Sequence, residues 1–486
     1  MPCTTILVGK NASYDGSTLM ARNEDSPSGQ FTRKKYVSVT PDKQPRHYKS
    51  VISGVEIDLP DNPMRYTAMP NAHNDEGIWG EAGVNECNVA MSETETITSN
   101  PRVLGADPLV PGGIGEEDML TIVLPYIHSA REGVKRLGML LEKYGTYEMN
   151  GIGFQDIDEI WWLESIGGHH WMAKRVPDDA YVLMPNQLGI DCFDFVDALG
   201  EQKDCMCSRD LADFVRENHL SLGMNSIPVK EDREFDARAA FGSHSDSDHT
   251  YNTPRAWSMA RYLNPTTYTW DGLYRDFTPE SDNIPWSFVP EKKITVEDIK
   301  YVLSLHYQGT PFDVYAHTGN KSERGKYRPI GINRNNFLKI TQLRPYVPGD
   351  ISAVEWIAEG SNPFNTIVPF YANVNDTPRY LRDTDGIATT ENFYWANRFI
   401  AAMADPHFNM CITHIERYRQ TVTSKGHRYI AKFDKASWDA ENITEYLENR
   451  NLEIARMLKE ETDKLLGNVL YRTSNLMKNG FARSDG

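Results

Sequence analysis

Four short apolar runs follow one another at 151–155, 159–163, 169–173 and 181–184, divided only by the turn signals Asp-Ile-Asp, Gly-Gly and Pro-Asp-Asp. Runs of this length between such turns read as strands of a meander. A parallel return needs a crossover of about a dozen residues, so strands this close can pair only antiparallel. Further extended runs fall at 4–8, 18–22, 36–39 and 87–92. Helical periodicity covers 116–127, 130–144, 208–218 with Ser208 as cap, 295–306 with Thr295 as cap, 388–404 and 408–420. The longest helical pattern is 437–478, with Ser437 at its start and Ile443, Leu447, Ile454, Leu458, Leu465 and Val469 near one face. Strands come in consecutive runs rather than alternating singly with helices. That order predicts an α+β chain of antiparallel sheets with helices packed outside, not a doubly wound parallel sheet. The polar, proline-containing stretches 97–115 and 264–294 read as long surface insertions, loops of a length that serves as lids or contact surfaces.

Hydrophobic residues make up 40% of the 486 positions and charged residues 24%, enough apolar material for a packed core. A formal net charge of -17, without a basic stripe, works against affinity for phosphate backbones. The start Met-Pro-Cys-Thr-Thr-Ile lacks the basic and apolar regions of a secretory signal, and no apolar run approaches the length of a membrane span. Six cysteines without paired metal spacing fit a reducing compartment, so a cytoplasmic protein without nucleic-acid or membrane partners is expected.

The run 4–8, the turn-rich stretch 9–17 and the run 18–22 form a hairpin. With residue 8 opposite about 18, Cys3 lies beside Asn23 at the open end, and Arg22 and Asp25 approach it from the second strand. A cysteine at a free N-terminus carries two catalytic groups, a thiol that attacks a carbonyl and an α-amine suited to proton transfer near neutrality. Arg22 is placed to favour the thiolate, and Asp25 to hold the ammonium or the guanidinium. The plain alternative is a buried Cys3 on a core strand beside an ordinary Arg22–Asp25 pair.

The segment from Cys3 to Ser17, followed by Ala-Arg22-Asn-Glu-Asp25, resembles the N-terminal signature of the bacterial dipeptidase A family. The stretches 83–94, 185–188, 251–257, 329–331 and 368–371 agree with it. The resemblance implies an αββα sandwich of two antiparallel sheets flanked by helices, the N-terminal-nucleophile hydrolase fold shared with penicillin V acylase and bile salt hydrolases. It implies catalytic roles for Cys3, Arg22, Asp25, Asn186 and Arg255, with the Asn186 amide donating to the oxyanion. A second oxyanion donor is expected from a backbone N–H near Glu93 and Thr94, the Thr94 hydroxyl or Asn85, and Glu24 joins them as a candidate for substrate binding. Family enzymes begin at the cysteine, so residues 1–2 are expected to be a removable propeptide, released by attack of the Cys3 thiol on the Pro2 carbonyl. The expected hydrolase domain spans 3–430, with the helix 437–478 packed on it, the long helix and the insertions offering contact surfaces for a homo-oligomer.

The expected activity is hydrolysis of dipeptides through a thioester, without a cofactor or metal. The alternatives are an acylase acting on non-peptide amides and a non-catalytic, secernin-like interaction protein. His244, Asp246, Asp248 and His249 fall close together but match no metal-ligand spacing and read as turn chemistry before a helix. His169 and His170 alternate across a strand, and Cys205 and Cys207 lack a second pair.

Overall fold

The computed structural model describes residues 3–477 apart from 28, 74, 95, 96, 225, 226, 438 and 439, together with the backbone but not the side chains of Glu93 and Thr94. The expected propeptide, residues 1–2, lies outside the described residues. Two antiparallel sheets organise the chain. The first has seven strands in the spatial order Ser287–Phe288, Tyr181–Met184, β1 (Cys3–Val8), β2 (Thr18–Asp25), Asn335–Leu343, Ala353–Glu359 and Val368–Tyr371. The second has six, in the order Cys205–Cys207, Trp171–Arg175, Ile160–Ser165, Gly151–Gln155, Ala90–Thr94 and Ala82–Val84. Helices and antiparallel sheets together make this an α+β protein.

Strand alternation sorts the apolar residues into three clusters. Ile6, Val8, Leu19 and Ala21 face outward against Trp257, Ile299, Ile415 and Ile454 of four helices. Leu7 and Met20, one residue along, face Trp162 and Met172 of the second sheet. Ile152, Phe154, Trp161 and Leu163 turn the other way, onto Leu120 and Leu137 of the helices Glu116–Val123 and Ala130–Tyr144.

Several expectations need correction. The first three meander strands form hairpins in the second sheet, but Tyr181–Met184 leaves it and pairs with β1 in the first. The crossing is tight: a Cβ on Gly9 would lie 2.3 Å from the Pro177 carbonyl oxygen. The sequence reading has no counterpart for Asn335–Leu343, Ala353–Glu359 and Val368–Tyr371, three strands of the sheet that carries Cys3. The pattern 437–478 is a single helix that starts later than read. The helix from 408 continues to Ala436 and the next is Ile443–Ser474. Ser437 closes the first by donating to the Asp434 carbonyl at 2.7 Å, and Asn442 caps the second. The expected helix at 208–218 is Leu211–Glu217, preceded by Asp210 rather than capped by Ser208. Thr295 caps Val296–Val302 as read, with Asp298 completing a capping box. The stretch 97–115 includes the helix Pro101–Ala106, and 264–294 contributes the edge strand Ser287–Phe288. Among the described residues no helix is long and apolar enough to cross a membrane.

Candidate active site

The β1–β2 register decides what faces Cys3. Cys3 pairs with Glu24, Thr5 with Arg22 and Val8 with Leu19, one residue away from the expected register. A one-residue slip moves a side chain to the opposite sheet face. The observed pairing puts Arg22 and Glu24 on the face of Cys3, whereas pairing Cys3 with Asn23 would have turned Arg22 away. The slip arises because residues 9–12 bond to 178–180, the turn before Tyr181–Met184, instead of extending the hairpin: Gly9 N–H donates to Ala180 at 2.9 Å and Asn11 N–H to Asp178 at 2.7 Å.

The Arg22 guanidinium lies on the cysteine sulfur, with Nη2 2.9 Å from Cys3 Sγ. Nη2 also pairs with Glu81 at 2.8 Å and Glu116 at 3.2 Å, and Nη1 donates to the Glu81 carbonyl at 3.5 Å. The network runs inward: Lys34 bridges Glu81 at 3.2 Å and Glu24 at 2.8 Å, and Asn336 donates to Glu24 at 3.0 Å. Every charge in it is buried. The Cys3 thiol is raised to about 12, the net of burial, which pushes it up, the Arg22 charge, which pulls it down, and Glu116 and Glu81, which push it up. Burial, with Glu81 beside it, raises Glu116 to about 8 and Glu24 to about 7.

A second group gathers on the other side of Cys3. Asn186, just past the strand Tyr181–Met184, accepts on Oδ1 from Cys3 N–H at 3.0 Å and from Arg255 Nη2 at 2.8 Å. Arg255 lies in the first turn of the helix Thr253–Leu263 and also donates to the Cys3 carbonyl and to Thr4 Oγ1. Burial lowers Arg255 to about 9, which leaves it charged at neutral pH. Asn252 accepts from Arg255 at 2.8 Å and donates to the Asn186 carbonyl at 3.0 Å and to Asp248 at 2.7 Å. Asn186, Asn252 and Arg255 line a cleft of about 1080 Å³ together with Ser99, Arg102 and His244.

A match to the model of peptidase family C69 spans residues 2–421. The chain belongs to that family. It is 55% identical to a protein named "Dipeptidase" from Bifidobacterium longum (strain NCC 2705), with each chain covered in full. It is 52% identical to "Probable dipeptidase A" of Streptococcus pyogenes serotype M3 (strain SSI-1), again over the whole of both chains. To "Dipeptidase A" of Lactobacillus helveticus it is 42% identical, over 98% of this chain and 97% of that one. As a C69 member the protein is a peptidase, a hydrolase.

The C69 fold thus brings Cys3, Arg22, Asn186 and Arg255 into one hydrogen-bonded group. Asp25 sits beside it: its carboxylate is held by Arg328 and Asn335, and its charge acts on Arg255. Two sequence candidates are placed elsewhere. Glu24 is locked into the interior network rather than lining the cleft, because the Cys3 face of β2 turns into the space between the sheets. Asn85 is a turn residue: its amide donates to Leu124 and Ile127 carbonyls and accepts from Cys87 and Val89 N–H groups, so all of its bonds serve the backbone. The backbone of Glu93 and Thr94 runs in the strand Ala90–Thr94, and their side chains lie outside the described residues. The segment with His244 and His249 caps a helix: Asp248 accepts from Ser243 and Ser245, and His249 contacts Asp282 at 2.9 Å. The sequence reading missed Glu81, Glu116, Lys34 and Asn252. Glu81 left a signal, a lone carboxylate between glycine-flanked apolar residues in Trp79-Gly-Glu81-Ala-Gly83.

Proposed function

We propose that this C69 peptidase is a cysteine dipeptidase of the N-terminal-nucleophile type, acting through Cys3 once residues 1–2 are removed. The observation that carries the reading is that the sulfur and the nitrogen of one residue are both engaged, Sγ by Arg22 at 2.9 Å and N by Asn186 at 3.0 Å. The order of the three apolar clusters supports an αββα sandwich with the nucleophile on a central strand, and the names of the relatives support dipeptides as substrates.

In this reading the Cys3 α-amine takes the thiol proton as sulfur attacks the scissile carbonyl, so the thiolate forms only as it is used. A thiol pushed up by burial suits that order. Arg22 stabilises the sulfur charge, and Asn186, whose Oδ1 is turned toward Cys3 N and Arg255, directs its amide nitrogen at the oxyanion. The ammonium then protonates the leaving amine, the C–N bond breaks and a thioester remains. Water, deprotonated by the same amine, hydrolyses it and restores the thiol. The Arg255–Asp25–Arg328 group supplies charge for the substrate's termini. Release of residues 1–2 uses the same nucleophile: sulfur attacks the Pro2 carbonyl, the Pro2–Cys3 amide bond breaks and the nitrogen takes up a proton as the free α-amine, and water hydrolyses the resulting thioester to restore the thiol.

The test joins intact mass with activity. Purified protein should lack residues 1–2, hydrolyse a dipeptide panel and lose turnover with iodoacetamide, while Cys3→Ala keeps Pro2 and is inactive. Full activity in protein retaining Pro2 ends the free-amine mechanism, and turnover confined to non-peptide amides replaces the dipeptidase reading with an acylase.

A further inference from the structure

Far along the chain from Cys3, a buried cation and a half-buried one meet without a carboxylate. Lys300, on the helix Val296–Val302, is 6% exposed, and its ammonium donates to Ser304 Oγ at 2.9 Å, the Asn362 carbonyl at 2.9 Å and Asn365 Oδ1 at 2.7 Å. Arg419, on the helix Phe408–Ala436, donates to the Asn365 and Asn362 carbonyls at 2.9 Å each and to the Pro363 carbonyl. The cations thus converge on one oxygen, that of Asn362. All six acceptor contacts are neutral, and among the described residues neither cation forms an ion pair. In a chain with 68 acidic against 51 basic side chains, such a pair stands out. Uncompensated buried charge is costly, and neutral acceptors offset only part of that cost.

Both cations open onto a cavity of about 420 Å³ whose wall also carries Ser304, Thr366, Thr423 and His427. Glu297, the acidic residue on the wall, is engaged by His427 at 2.6 Å. We propose that this cavity binds a small oxyanion, a phosphate or the carboxylate of a free amino acid, between Lys300 and Arg419. The Ser304 hydroxyl donates to the Lys300 carbonyl at 2.6 Å and the Lys300 ammonium is spent on three protein oxygens, so Lys300 contributes charge, while Arg419 Nη1 and the Thr423 hydroxyl offer donors. A net positive, partly apolar cavity of this kind matches an oxyanion on a small body. Burial, and after it the Arg419 charge, pushes the Lys300 ammonium well below its ordinary range, and a bound anion would favour its charged form. Hydrogen bonds of the two cations lead to the framework of the site described above. Asn362, whose carbonyl takes both cations, donates its N–H to Asn335 Oδ1 at 3.1 Å, and Asn335 holds Asp25.

The test is thermal unfolding of the full chain titrated with sodium phosphate, sodium acetate or glycine against sodium chloride of equal ionic strength. Saturable stabilisation by phosphate alone identifies a phosphate site, and saturation by acetate and glycine a carboxylate site. Arg419→Gln should weaken the apparent affinity about tenfold or more. Thr423→Asp, which sets a carboxylate on the wall and leaves the Lys300 and Arg419 bonds in place, should do the same, so the test survives a folding defect in the arginine variant. Absence of stabilisation beyond the chloride control, or saturation unchanged in Thr423→Asp, overturns the proposal. Neither result depends on the dipeptidase reading, because nothing in the titration is read by turnover.

Discussion

At the scale of single residues, Arg22 is the hinge of the site because one nitrogen, Nη2, meets the Cys3 sulfur and two carboxylates. The guanidinium cannot lose its proton, so its partners rather than pH set its position. Glu81 holds it by carboxylate and carbonyl together, from a backbone with φ 65°, two residues after Trp79 at φ 51°. Left-handed backbone at non-glycine residues is costly and tends to gather at functional sites. Glu81→Gln removes a charge that pushes the thiol up, so the pH profile of Cys3 alkylation should move to lower pH; an unmoved profile would reduce Glu81 to a packing role. Asn186→Ala removes the proposed oxyanion donor and should cut kcat by about 10²–10³ with little change in KM, measured on dipeptides.

At the scale of elements, the strands that carry the site depend on close approach and on covered edges. Gly83 lies in the strand Ala82–Val84, where an added Cβ would fall 2.0 Å from the Thr67 carbonyl oxygen. Gly83→Ala should destabilise the protein by about 1–3 kcal/mol in chemical denaturation, since backbone rather than a flexible side chain must yield. The strand Val368–Tyr371 is the last of its sheet, and Asn451 on the C-terminal helix covers its open edge. Asn451 accepts from Tyr371 N–H at 2.9 Å and donates to the Tyr371 carbonyl at 3.0 Å. Asn451→Leu leaves both groups buried and unpaired and should cost about 2–4 kcal/mol, read from the denaturation midpoint.

At the scale of the whole molecule, the space between and around the sheets holds carboxylates that burial raises: Glu24, Glu164 and Asp118 to about 7 and Glu116 to about 8. A carboxyl raised in the folded state keeps its proton where the unfolded chain has lost it. Its contribution is complete below the unfolded value and fades as pH rises through the folded one. The denaturation midpoint should therefore fall between about pH 5 and pH 8, and Glu116→Gln should flatten that slope. A flat midpoint over this window would show that these carboxyls ionise in the folded protein as freely as in water, and a rising one that the fold favours their charged forms.

The sequence by itself determined the class of fold, most of the helices and the hairpin with Cys3 at its open end, because periodicity, turn residues and caps act within a few positions. Thr295 capping its helix is of that kind. The tertiary structure alone decided the β1–β2 register, the transfer of Tyr181–Met184 between sheets and the company of Arg22. Each depends on residues far apart in the chain: Gly9 against Pro177, Arg22 against Glu81 and Glu116, Cys3 against Asn186. The same distance explains why Glu24, on the right strand and the right face, ends in an interior ion network. Lys34 and Asn336 claim it, and no local pattern in the chain announces that pairing.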